Sequence, residues 1–165
     1  MIIRFMQGTS FDALAIMAQE KTCVPFVPSH VEGLTSDGQF YIGAHLDGGV
    51  QKRPVGYDKA TTRYELSLKL DATPEQDAVF YAFLESKIGE PYDWRAILGF
   101  LVPKHEHELN HAICSALVTL ALRACGWFAA PLAAPAHLIS PRDLLLIVSG
   151  RMTVPMDLNE PTKTA

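Results

Sequence analysis

Alternating apolar and polar positions divide the chain into short extended stretches followed by helices. Ile2 to Met6 is a brief apolar run of strand length. Phe11 to Ala18 carries apolar residues at helical spacing, with Ser10 or Asp12 near its start. Pro25 and Pro28 then punctuate a loop. His30 to Leu34 and Gln39 to Leu46 read as two strands around Thr35-Ser36-Asp37-Gly38. An Asp-Gly pair between such runs signals a hairpin. Asp47-Gly48-Gly49 marks a second sharp bend. From Tyr64 to Leu70, Tyr64, Leu66, Leu68 and Leu70 recur every second residue and share one face of a strand.

The clearest helix comes next. Thr73 suits an N-cap, Pro74 the first helical position, and Gln76 the partner position of a capping box. Phe80, Phe83, Leu84 and Ile88 then form an apolar stripe, and Gly89 stands where a helix-ending glycine belongs. A second helix is predicted from about Ala112 to Arg123, ending before Gly126. Ser140-Pro141 opens a last short helix or turn, and Leu144 to Val148 is apolar enough to be buried. Strands and helices are partly segregated along the chain, which predicts an α+β fold rather than a wound parallel sheet.

Composition narrows the picture. A length of 165 residues, 48% apolar and 19% charged, fits one globular domain spanning 1–165. No internal repeat or low-complexity linker divides it. The net charge of -4 gives no general attraction for phosphate, so nucleic acid is not expected as the main partner. No apolar run reaches about 18 residues, so no transmembrane segment is expected. Met1 to Gly8 is too short and interrupted for a signal peptide, which points to a cytoplasmic location. Three cysteines, Cys23, Cys114 and Cys125, are an odd number and argue against a disulfide framework. Cys23 and Cys125 read as packing residues.

Cys114 stands where a loop becomes an apolar helix, in His111-Ala112-Ile113-Cys114-Ser115-Ala116-Leu117-Val118. In a first helical turn, a thiol meets unpaired N–H groups and the positive end of the dipole. Both favour the nucleophilic thiolate. A small residue buried on the core face is the competing reading. His30 begins a strand, and Glu32 leaves the same face two residues on. A catalytic His30 would hold or accept the thiol proton, while a carboxylate, amide or second histidine orients its ring. A half-exposed strand histidine is the alternative.

Several further segments follow in order. After Ser29-His30-Val31 come Ile42-Gly43-Ala44, Gly48-Gly49-Val50 and Arg53-Pro54. Then come Ile88-Gly89-Glu90-Pro91-Tyr92-Asp93-Trp94, Ile113-Cys114-Ser115-Ala116-Leu117-Val118 and Ile139-Ser140-Pro141-Arg142-Asp143-Leu144. Together, over roughly residues 29 to 145, they resemble the circularly permuted branch of the NlpC/P60 superfamily, and within it the YiiX-like proteins. The N-terminal run is also similar to that of small prophage-encoded members. The resemblance implies a papain-like fold, with a small antiparallel sheet packed against the helix that carries the cysteine. It implies a cysteine hydrolase, a peptidase, amidase or acyl-ester hydrolase, with cell-wall peptides or acyl lipids as substrate classes. Cys114 takes the nucleophile's role and His30 the base's, with no metal or other cofactor. The chain departs from the pattern twice. Ala116 stands where relatives often have glutamate, and Gly43 where a third polar residue is common. Orienting His30 then falls to His45, two residues beyond Gly43 on the same face, to Glu32, or to no residue. Tyr92, Trp94 and Ser29 are the candidate substrate-binding residues. Tyr92 could polarise an oxyanion, Trp94 could equally pack a loop onto the core, and Asp93 could cap the segment that follows.

A rival motif is His107-Glu108-Leu109-Asn110-His111, which matches the zincin pattern His-Glu-x-x-His. On a helix it would place both imidazoles on one face, with the glutamate near a metal-bound water. Pro103 and the charged Lys104-His105-Glu106 do not suit a buried helix, and no Gly-x-x-His continuation follows. A third ligand would have to be His137 or Asp143. The milder readings are a solvated loop, or adventitious metal binding by His105, His107 and His111. A binding module that keeps the fold without catalysis is the remaining alternative.

Overall fold

The computed structural model describes residues 1–9, 26–91 and 113–151. Strands β1 (Ile2–Gly8), β2 (His30–Leu34), β3 (Phe40–His45), β4 (Gly49–Pro54) and β5 (Thr62–Lys69) form one sheet in the order β4-β3-β2-β1-β5. Every neighbouring pair is antiparallel. Helices α1 (Pro74–Ser86), α2 (Cys114–Ala124) and α3 (Pro141–Ser149) follow, so the architecture is α+β. The expected helix over Phe11–Ala18, Cys23, Tyr92, Trp94 and the motif His107–His111 lie outside the described residues. No helix among the described residues is long and apolar enough to cross a membrane.

Alternation explains the sheet's two faces. On β1, Ile3 lies opposite Gly33 and Leu68, and Phe5 opposite Val31 and Leu66. Together with Ile42 and Ala44 these residues are buried, and they join α1 and α2 in the main core. Gly33 permits the close approach of α1: a Cβ built there would lie 2.5 Å from Leu84 Cδ1 and 3.2 Å from the Phe80 ring. Both side chains are fully buried and have little room to yield. Gly33→Ala is therefore expected to lower unfolding free energy by about 1–3 kcal/mol, the usual range for overpacking. Urea denaturation measures it, and an unchanged midpoint would mean that α1 shifts freely.

Local signals set the helix starts. Thr73 and Gln76 close a capping box at α1, and Ser140 and Asp143 close another at α3. Two expectations about burial need correction. Helix α1 stops at Ser86, so Ile88 falls off its stripe and is 45% exposed. The run Leu144 to Val148 is helical, so Leu144 and Val148, one turn apart, face the core while Leu146 is 64% exposed. Strand β4 has no counterpart among the expected elements. It is an edge strand whose Gln51, Lys52 and Arg53 break the apolar pattern, and Pro54 sits at its end, as edge strands tolerate. Helix α2 packs across β2 and β3 and against α1. That packing sets the N-terminus of α2 near the start of β2.

Candidate active site

The other face of the sheet carries charge. Arg4 on β1 pairs across the ladder with Glu32 on β2, and both are buried. The Arg4 guanidinium donates to Glu32 Oε1 at 2.8 Å, to Asp58 Oδ1 at 3.1 Å and to Glu65 Oε2 at 2.9 Å. It also stacks 4.5 Å above the Tyr41 ring. Tyr57, from the connection between β4 and β5, donates its hydroxyl to Glu32 Oε2 at 3.1 Å. Burial raises the pKa of Tyr57, and the charges of Glu32 and Asp58 raise it further, so the hydroxyl keeps its proton. Arg4 is destabilised as a cation by burial, but Glu32 and Asp58 outweigh this and its pKa rises.

Two imidazoles converge on the same carboxylate. His30 Nε2 lies 3.4 Å from Glu32 Oε2, and His45 Nε2 lies 3.8 Å from it. The two rings are 4.8 Å apart at their centroids and tilted by 34°. Gly43 makes room for this cluster. A Cβ there would lie 2.9 Å from Glu32 Cβ and 3.3 Å from His30 Nε2. The position expected to hold a polar side chain is thus the space that Glu32 and His30 occupy.

Cys114 is the first residue of α2, where Ile113 is extended and no side chain among the described residues caps the helix. It is 3% exposed and belongs to the core cluster. Its side chain also lies close enough to His30 to act on the imidazole electrostatically. Burial alone would lower the His30 pKa. Cys114, and after it Glu32, override burial and raise it from 6.5 to about 10. Glu32 responds in the opposite sense: burial works against its charge, but His30 and Arg4 hold its pKa below the ordinary value. His45 is pushed down from 6.5 to about 3, first by burial and then by the charge of His30. One histidine is therefore held charged beside the sulfur, and its neighbour is held neutral.

Four of the predicted residues, Cys114, His30, Glu32 and His45, thus come together. Ser29 plays a visible local part. Its hydroxyl accepts from the Gly8 N–H at 3.0 Å and donates to the Met6 carbonyl at 3.3 Å, tying the start of β2 to the end of β1. Asp143 is engaged by the cap of α3, bonding the Ser140 N–H at 3.2 Å and hydroxyl at 2.9 Å. Arg4, Tyr57 and Asp58 were not singled out by the sequence. A lone arginine in the apolar run Ile2 to Met6 is the one signal that marked any of them. Among the described residues, His30, Glu32 and His45 form a group able to hold a metal ion, with ligand atoms all within 4.8 Å of one another. The chain matches no family model and no curated protein.

Proposed function

We propose that the protein is a cysteine hydrolase of papain-like fold, acting on an amide or ester acyl bond. The observation that carries this reading is the placing of Cys114, at a helix N-terminus, beside a His30 that a buried carboxylate backs. The Cys114 thiolate attacks the acyl carbonyl carbon and forms an acyl-enzyme. His30 gives its proton to the leaving amine or alkoxide as that bond breaks. His30 then takes a proton from water, which attacks the thioester; the C–S bond breaks, releasing the acid and restoring the thiolate beside protonated His30. The Cys114 backbone N–H, at the helix start and with no acceptor among the described residues, is available to the developing oxyanion.

The third role goes to Glu32. Its Oε2 is nearer to His30 Nε2 than to His45 Nε2, at 3.4 Å against 3.8 Å. With Nε2 turned to the carboxylate, Nδ1 is the ring nitrogen left for the sulfur. The circularly permuted NlpC/P60 proteins, which the ordered segments from Ser29 to Leu144 resemble, suggest cell-wall peptides or acyl lipids as substrates.

Alkylation by iodoacetamide, followed residue by residue with mass spectrometry, tests the reading. Cys125 is the internal reference: burial raises its pKa, and its thiol donates to the Leu122 carbonyl at 3.3 Å. Cys114 is expected to react on the order of tenfold faster than an ordinary thiol at neutral pH, and His30→Ala is expected to abolish the advantage. Labelling of Cys114 no faster than an unperturbed thiol would overturn the assignment.

A further inference from the structure

We propose that His30, Glu32 and His45 form a binding site for a divalent transition-metal ion of the zinc class. The site is distinct from the Cys114 thiol and does not require that thiol to be reactive. Three observations support it. First, the Nε2 atoms of His30 and His45 are buried and make no well-formed hydrogen bond among the described residues, facing Glu32 Oε2 from 3.4 Å and 3.8 Å respectively. His45 is 8% exposed, so solvent does not readily supply one. Second, both atoms point at one carboxylate oxygen. A tetrahedral ion with bonds of about 2.0–2.1 Å holds its donors about 3.3 Å apart. The observed separations from Glu32 Oε2 are 3.4 Å and 3.8 Å, and all three donors lie within 4.8 Å of one another. Small side-chain rotations close that set around an ion.

Third, the carboxylate is already oriented from behind. Arg4 holds Oε1 at 2.8 Å, and the Tyr57 hydroxyl meets Oε2 at 3.1 Å. Such outer partners hold a ligating carboxylate in place. Local charge agrees. Arg4 faces Glu32, Asp58 and Glu65, so once His30 gives up its proton to bind the ion, one cation is left against three carboxylates and the cluster can accept the ion's charge.

Two imidazoles and one carboxylate suit zinc, cobalt or nickel, whereas calcium and magnesium require oxygen donors throughout. Binding occurs through Nε2 of each ring, and any proton carried there is released to solvent while Nδ1 keeps its own. One position on the ion stays open for water. A metal-held His30 could not cycle its proton, so occupancy and the proposed hydrolysis would exclude each other. That consequence rests on the hydrolase reading; the metal site does not.

The test uses the full chain without an affinity tag, stripped with a chelator and titrated with Co²⁺. One equivalent is expected to bind, with visible d–d absorption and no sulfur-to-cobalt charge-transfer band, and Zn²⁺ is expected to displace it. His45→Ala should weaken binding by more than about 100-fold, beyond what losing an outer partner causes. His107→Ala should bind as the wild type does, and Cys114→Ala at least as tightly, because it removes a cause of the proton held on His30. Histidine ¹⁵N spectra of the wild type give a second readout that no variant's folding can compromise: Zn²⁺ should shift Nε2 of both His30 and His45. Wild-type affinity in a folded His45→Ala, a thiolate charge-transfer band, loss of binding in His107→Ala, or unshifted Nε2 signals would each overturn the site. Thiol alkylation of the metal-free protein separates a failure here from a failure of the hydrolase reading.

Discussion

Arg4→Ala is expected to destabilise the protein by about 3–5 kcal/mol, the range for removing one partner from a buried ion pair. The guanidinium is enclosed, and two of the carboxylates it serves, Glu32 and Asp58, are themselves buried. Without it Asp58 would have no cation among the described residues, and Glu32 would keep only His30 as one. Glu65 adds little, because its side chain is 51% exposed and can turn to solvent. For a chain of this length the loss corresponds to a fall in Tm of roughly 10 °C. Arg4→Lys should recover part of it. A single ammonium cannot match the fork that reaches Glu32 and Asp58 together. Asp58→Asn in the Arg4→Ala background should also recover part, by removing one of the stranded charges. Urea denaturation gives all three values. A loss below about 1 kcal/mol for Arg4→Ala would mean that water already solvates the cluster.

The same cluster shows where sequence reading ends. His30 and Glu32 could be placed on one face from their spacing alone, because a strand alternates every residue. Cys114 could be placed at a helix start because the polar segment ends and the apolar one begins there. Each of these inferences is local. Arg4 and Tyr57 reach Glu32 only because β1 lies between β2 and β5 and the connection from Pro54 to Thr62 folds back over the sheet. Nothing in the sequence around Tyr57 announces that contact. Gly43 is similar. Read alone it is a missing polar residue, whereas across the sheet it is the gap into which Glu32 and His30 fit.

The fold divides along the same line. Strands β1, β2, β3 and β5 follow from apolar runs and alternation, and the starts of α1 and α3 from their capping residues. Strand β4 does not, because an edge strand needs only one protected face and Gln51, Lys52 and Arg53 hide its periodicity. Exposure of Leu146 and Ile88 departs from the apolar pattern for a related reason: apolar composition does not show which side of a helix faces the core, nor where the helix ends.

Folding stability is expected to fall steeply as pH drops from 6.5 towards 3, and His45 is the main cause. In the unfolded chain its imidazole takes up a proton near 6.5, while in the folded protein burial and the charge of His30 delay uptake to about 3. Between those values the unfolded state binds more protons, so acid favours unfolding. The slope is on the order of 1 kcal/mol per pH unit. His30 adds nothing in this window, because it is charged in the folded state up to about 10 and charges in the unfolded state below 6.5. Glu32 steepens the lower part. Its folded pKa lies below the ordinary 4.5, so its contribution is present above that value and is lost as pH falls through the folded one. His45→Gln keeps a neutral polar group of similar size and cannot titrate. It should flatten the profile between about 4.5 and 6.5 and leave the fall that Glu32 causes below it. Urea midpoints across this range, taken in the presence of a chelator, provide the comparison. Equal slopes for wild type and His45→Gln would show that His45 charges as readily in the fold as outside it, and the neutral member of the histidine pair would have to be reassigned.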